Sequence, residues 1–170
     1  MTDADGPRDA TPATQGLQRA VRETLPFHDT QDFEDAARGL VAALPEVEIK
    51  NAQGRPVWSL RDYAFLAGEE APPTVNPSLW RQARLNMHHG LYQVTDRVYQ
   101  VRGFDISNMT LIEGERGVIV IDPLISAEVA RAAFDLYRAH RGDRPVTAMI
   151  YTHSHTDHYG GVRGVLDEPK

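Results

Sequence analysis

Val146-Thr147-Ala148-Met149-Ile150-Tyr151 leads directly into Thr152-His153-Ser154-His155-Thr156-Asp157-His158-Tyr159-Gly160-Gly161. The first run has the length and apolar character of a strand. The second run places four potential metal ligands within six positions, and the spacing suggests how they divide. On extended backbone, residues i and i+2 point the same way, so His153 and His155 can turn two imidazoles toward one ion. Asp157 and His158, after the chain bends, can face a second position beside it. Both ligand types suit Zn²⁺ at about 2.0–2.2 Å, and neither needs a thiol. An isolated His-x-His would read as an ordinary polar loop. Four ligands at the mouth of a strand, with Gly160-Gly161 next in sequence where the backbone must come close or turn tightly, read as a functional site.

The preceding residues build a scaffold for that loop. Ser126 is placed to cap a helix whose buried stripe is Ala130, Ala133, Phe134 and Tyr137 and which ends near Gly142. Before it, Val118-Ile119-Val120-Ile121 is apolar on both faces, which predicts a strand covered on both sides and closed by Asp122-Pro123. A helix between two buried strands is the crossover of an α/β layered domain. Upstream, a period of two over Leu91–Thr95, Val98–Arg102 and Asn108–Glu113 predicts, with Val118–Ile121, a four-stranded antiparallel meander.

Nearer the N-terminus the period is helical. Residues 1–14 are small and polar and predict a disordered leader. Leu17 to Leu25 give a short amphipathic helix stopped by Pro26. Phe33, Ala36, Ala37, Leu40, Val41 and Leu44 form one stripe, which predicts a helix from about Asp29 to Pro45. Gln53-Gly54-Arg55 predicts a hairpin turn, Ser59 starts a helix through Leu66, and a short helix is expected around Leu79–Leu85. The expected division is a leader at 1–14, a helical and hairpin segment at 15–85, and at 86–170 the domain that carries the histidine loop, on which that segment packs.

Composition narrows the function. With no cysteine among 170 residues, disulfides, thiol nucleophiles and cysteine-held metals are excluded, and any metal must rest on His, Asp or Glu. A formal charge of −6 argues against a surface that tracks phosphates, so no nucleic-acid partner is expected. The acidic start and the absence of any long apolar run predict no signal peptide, no membrane span and a cytoplasmic location.

The His-x-His-x-Asp-His run after an apolar strand resembles the zinc motif of the metallo-β-lactamase superfamily. Further blocks are similar to its alkyl sulfatases, the dodecyl sulfate-hydrolysing type: Asp32-Phe33-Glu34-Asp35-Ala36 with Arg38-Gly39, Val57-Trp58, Tyr63-Ala64-Phe65-Leu66, Asn76-Pro77-Ser78-Leu79-Trp80-Arg81-Gln82, and Gly103-Phe104-Asp105-Ile106-Ser107-Asn108-Met109-Thr110. The resemblance implies an α/β (α+β) fold, the N-terminal half of an αββα sandwich preceded by a helical segment. It also implies two zinc ions, with His153 and His155 binding the first and Asp157 and His158 the second, and Asp157 orienting the attacking water. The implied reaction is metal-assisted hydrolysis of an amphiphilic sulfate ester to an alcohol and sulfate. Other hydrolases of the superfamily, acting on lactones, thioesters or β-lactams, share the metal motif. The family's remaining ligands, sulfate-binding residues and dimerisation segment lie downstream of the motif, so the resemblance implies a homodimer for the full-length protein. It also casts this chain, which ends twelve residues past His158, as an N-terminal fragment. A non-catalytic fragment that at most binds metal is the third reading, since two protein ligands per ion are fewer than a catalytic zinc receives.

Other polar residues weigh less. Adjacent His88 and His89 diverge on extended backbone and are expected in a loop or at the surface, as are His28 and His140. Asp122 is open to two roles, a turn residue or a carboxylate hydrogen-bonded behind a metal-binding histidine. Trp80 and Arg81 would line a channel for an anionic amphiphile or belong to the core, with core the expectation.

Overall fold

The computed structural model describes Gly6, residues 8–68 and residues 70–166. The chain divides into two units: Met1–Ala36 with Phe65–Asn86, and Ala37–Ala64 with Met87–Lys170. Each is built around its own anchors.

In the first unit, Thr11 caps α1 (Pro12–Thr24) by accepting from the Thr14 amide, and Pro12 sits in the first turn, where its missing N–H costs nothing. The helix therefore starts five residues before Leu17 and takes in part of the predicted leader, of which residues 1–5 and 7 lie outside the described residues. Asn76 and Pro77 start α3 (Pro77–Leu85) in the same way. Trp80 is core: it is buried, and its Nε1 donates to the Gly68 carbonyl at 3.1 Å. Arg81 donates to the Asp32 carboxylate and to the carbonyls of Phe27 and Asp29, with its guanidinium over the Phe33 ring. These contacts hold the 27–33 turn against α3, and they commit both candidate channel residues to packing within this unit.

The second unit is a six-stranded sheet of β1 (Leu40–Ala42), β4 (Gly90–Thr95), β5 (Val98–Arg102), β6 (Met109–Glu113), β7 (Val118–Ile121) and β8 (Val146–Ile150), in that spatial order. All neighbours are antiparallel except β7 and β8, which are parallel. The parallel pair is joined by α4 (Ala127–Arg141), with Ser126 accepting from the Val129 amide. A hairpin, β2 (Glu48–Lys50) with β3 (Pro56–Ser59), and the 3₁₀ segment Arg61–Ala67 occupy the predicted positions. Mixed α/β architecture, the meander and the crossover helix are thus as predicted. No helix among the described residues is long and apolar enough to cross a membrane.

Alternation along the strands sets the core. Tyr99, Val101, Met109, Leu111, Val118 and Val120 face Val129, Ala130, Ala133, Phe134 and Tyr137 of α4. Tyr137 stacks on Phe134 with ring centroids 5.9 Å apart and meets Tyr99 edge-on at 6.1 Å.

Two expectations are corrected. The Phe33–Leu44 stripe is not one helix: α2 covers only Gln31–Ala37, and the chain then becomes β1. Gly39 makes the switch at φ 78°, and its carbonyl accepts the Gln93 amide at 2.7 Å. Pairing of Leu40 and Ala42 with β4 replaces the amphipathic pattern, and it places segment 37–64 with the later residues rather than with the helical segment. Second, Val118–Ile121 is buried on one face only. Ile119 and Ile121 are half-buried and β8 is largely exposed, because no second layer covers that face among the described residues.

Glu113 is one of the buried charges of this unit. It accepts two bonds from Arg141, at 3.0 and 3.1 Å, and one from Tyr137 Oη at 3.1 Å, which ties the end of β6 to the end of α4. The Arg141 bonds outweigh burial and hold the Glu113 carboxyl below the ordinary glutamate range, while burial raises the Tyr137 phenol. A depressed native pKa contributes stability that is complete above the unfolded value and lost as pH falls through the native one. Urea unfolding is therefore expected to lose stability as pH falls below about 5, and Glu113→Gln, costing about 2 kcal/mol at neutral pH, should flatten that acid limb. Gly39→Ala would drive a Cβ into the Gln93 carbonyl at a left-handed φ, and a loss of about 2 kcal/mol or more is expected by the same measurement.

Candidate metal centre

Three loops meet at the C-terminal ends of β7 and β8: residues 122–126 between β7 and α4, residues 103–108 between β5 and β6, and residues 151–159 after β8. The last contains the 3₁₀ turn Thr156–His158.

Asp122 joins the 122–126 loop to the 151–159 loop. Its amide donates to the Ile150 carbonyl at 3.0 Å. Its carboxylate accepts from the Thr152 amide at 2.8 Å, from Thr152 Oγ1 at 2.6 Å and pairs with His158 Nδ1 at 2.7 Å. Burial pushes this carboxyl up, but the bonds from Thr152 and His158 prevail and hold it below the usual aspartate value. Both contacts weighed in the sequence are present as geometry, the turn and the hydrogen bond to a histidine of the cluster. Asp122 makes the turn, at φ 55°, and stands behind His158. Leu124 shares the left-handed conformation at φ 67°, a costly one for a leucine, and is pinned by the Gly161 amide on its carbonyl at 2.7 Å.

The close approach expected at Gly160-Gly161 is present. A Cβ on Gly160 would strike the Ile125 carbonyl and one on Gly161 the Pro123 carbonyl, so the turn after His158 lies directly on the 122–126 loop.

These restraints gather the predicted residues. The rings of His153 and His155 lie 4.6 Å apart between centroids, and those of His153 and His158 lie 4.0 Å apart. Asp157 Oδ2 is 3.1 Å from His158 Nε2. Thr152 Oγ1 stands 3.0 Å from His153 Nδ1. His153 and His155 are exposed, while Asp157 and His158 are half-buried. Among the described residues, no group of three or more His, Asp or Glu side chains surrounds one point as a finished metal cage would. The side chains are adjacent but turned onto each other.

His89 stands apart from this cluster in role. Both His89 ring nitrogens sit 3.1 Å from main-chain carbonyls, of Met87 and Leu44, which makes His89 a fastening for its own loop. His140 lies at the end of α4, its Nδ1 2.9 Å from the Leu136 carbonyl.

Two buried polar residues of the 103–108 loop were given no role of their own by the sequence. Asp105 accepts from the amides of Ile106 and Ile125, and Ser107 Oγ donates to the Asp157 carbonyl at 2.6 Å. Burial, with the nearby Asp157 charge adding, raises the Asp105 carboxyl despite the amides of Ile106, Ile125 and Ser107. The sequence signal was their place between Phe104 and Met109, a stretch that is polar yet flanked by core residues.

Comparison with known proteins places the chain among relatives. Residues 102–170 match the metallo-beta-lactamase superfamily. The chain is 52% identical to a linear primary-alkylsulfatase of Pseudomonas sp., over 97% of this chain and 25% of that protein. It is 50% identical to the alkyl/aryl-sulfatase BDS1 of Saccharomyces cerevisiae, over 95% and 25%. It is also 50% identical to an (R)-specific secondary-alkylsulfatase of Pseudomonas sp., over 94% and 24%. The solved structure of the stereoselective inverting sec-alkylsulfatase Pisa1 from Pseudomonas sp. superposes with a TM-score of 0.88 at 50% identity, over 95% of this chain and 25% of that one. The chain spans about a quarter of the length of the curated relatives it matches. It is a homologue of the alkylsulfatases, and its histidine turn lies within a metallo-beta-lactamase superfamily segment.

Proposed function

We propose that this chain supplies the first metal-binding half of a zinc-dependent alkyl sulfatase, a sulfuric ester hydrolase that converts alkyl sulfates such as dodecyl sulfate to an alcohol and sulfate. The observation that carries the reading is the packing of three imidazoles and one carboxylate at the mouth of β8, with His158 backed by Asp122. The relatives' alkylsulfatase names supply the substrate class.

The donor set fits a zinc ion in chemistry and in span. A ring nitrogen and a carboxylate oxygen bound at about 2.0–2.2 Å to one tetrahedral ion stand roughly 3.4 Å apart. His158 Nε2 and Asp157 Oδ2 are 3.1 Å apart, so small side-chain rotations turn that pair toward a shared cation. Asp122, by engaging Nδ1, leaves Nε2 as the nitrogen directed into the site. His153 and His155 would hold one ion, Asp157 and His158 the second. When bound, such ions lower the pKa of a water toward neutrality and offset charge on the departing sulfate. Asp157 would orient that water, and Thr152, held by Asp122, steadies the His153 ring. The exposure of His153 and His155 leaves the substrate side of the cluster open.

The full-length protein that contains this chain should release sulfate from dodecyl sulfate. Turnover of a lactone or thioester with no sulfate release would overturn the assignment in favour of another hydrolase of the superfamily. Chelation should abolish the release and added zinc restore it, with His153→Ala and His158→Ala each lowering the zinc content measured by elemental analysis. Asp122→Asn, which weakens the support behind His158, should lower zinc affinity about 10- to 100-fold, read by competition with a chromophoric chelator.

A further inference from the structure

The 3₁₀ turn that carries Asp157 and His158 is gripped from two sides. Asp122 holds the His158 ring on one side. On the other is the 103–108 loop, which is fastened at three points. At its start, Trp58 Nε1 donates to the Gly103 carbonyl at 2.9 Å. In the middle, Asp105, 6% exposed, accepts from the Ile125 amide at 2.5 Å and so locks to the β7–α4 loop. Near its end Ser107, 7% exposed, donates to the Asp157 carbonyl at 2.6 Å.

That carbonyl needs a partner from outside its own turn. In a continuing helix it would accept from the amide three or four residues on. Here the Gly160 amide is committed to the Thr156 carbonyl and the Gly161 amide to the Leu124 carbonyl, both at 2.7 Å. The Ser107 hydroxyl fills the place, and the peptide it fixes joins Asp157 to His158. Rotation of that peptide would swing the two side chains in different directions.

We infer that Ser107 is a positioning residue: through the Asp157 carbonyl it sets the relative placement of the Asp157 carboxylate and the His158 imidazole, and so the geometry of the second metal position. The inference rests on the metal reading given above, but the hydrogen bond exists without metal, which allows the two to be tested apart.

The test uses the full-length protein that contains this chain, with Ser107→Ala and Ser107→Thr. In the metal-free chain, amide hydrogen exchange at residues 157–161 should rise about tenfold or more in Ser107→Ala and stay near the parent rate in Ser107→Thr, which keeps the hydroxyl. Amides of β6 should keep parental rates in both variants, which shows that the sheet is intact. Cobalt(II) titration followed by its visible absorption should then show about tenfold weaker binding at the position that His158→Ala removes, with the other position within about twofold of the parent and Ser107→Thr restoring both. Normal cobalt binding and unchanged exchange in Ser107→Ala would overturn the positioning role while leaving the metal reading in place. Equal weakening at both positions, unrelieved in Ser107→Thr, would mark a general packing defect and overturn it as well. A full-length parent protein that takes up no cobalt would overturn the metal reading, and this inference with it.

Discussion

The Asp122 carboxylate is the constraint on which the rest of the site depends. A nearly buried anion must be satisfied by donors, and its donors come from a segment some thirty residues further along the chain: the Thr152 amide and hydroxyl and the His158 ring. Satisfying that one group draws the end of β8 and the turn beyond it onto the end of β7. The hydrogen bonds of that one carboxylate thereby bring the histidine loop to the end of β7. The left-handed backbone at Asp122 and Leu124 is the strain accepted for that geometry, offset by the Gly161 amide on the Leu124 carbonyl.

Support for the site is distributed over elements that the chain orders by different means. The sheet and α4 are held by apolar alternation and one buried ion-pair network around Glu113. The three loops at the sheet's end are anchored by the buried side chains of Phe104 and Leu124 and joined by hydrogen bonds that the Asp105 and Asp122 carboxylates accept and the Ser107 hydroxyl donates. An apolar platform with polar clasps at its edge lets the loop residues keep defined positions while His153 and His155 remain open to solvent.

Much of this was legible in the sequence because the signals were local. The strands of the meander, Ser126 as a cap and the histidine cluster each declare themselves within a few residues. What was not legible depended on partners distant in sequence. Leu40 and Val41 fit a helical stripe with Phe33, and only the free edge of β4 makes a strand of them. The exposure of Ile119 and β8 could not be seen, since an apolar run carries no record of what covers it. Ser107 and Asp105 looked like ordinary loop residues because their role lies in contacts to Asp157 and Ile125, fifty and twenty residues away. Asp122 stood between these cases: its position at a strand end suggested the turn, and its contact to His158, thirty-six residues away, appears only in the fold.

The meander has a further consequence for how the chain acquires its structure. From β4 through β7 every pairing joins sequence neighbours across short connections, so this part of the sheet closes small loops and has little chain entropy to overcome. The contacts that create the histidine site are the opposite kind. They await α4 folding back, β8 docking parallel to β7 and the final turn settling on residues 122–126. On that ground assembly should run from scaffold to site, with the histidine turn both the last region to order and the first to open.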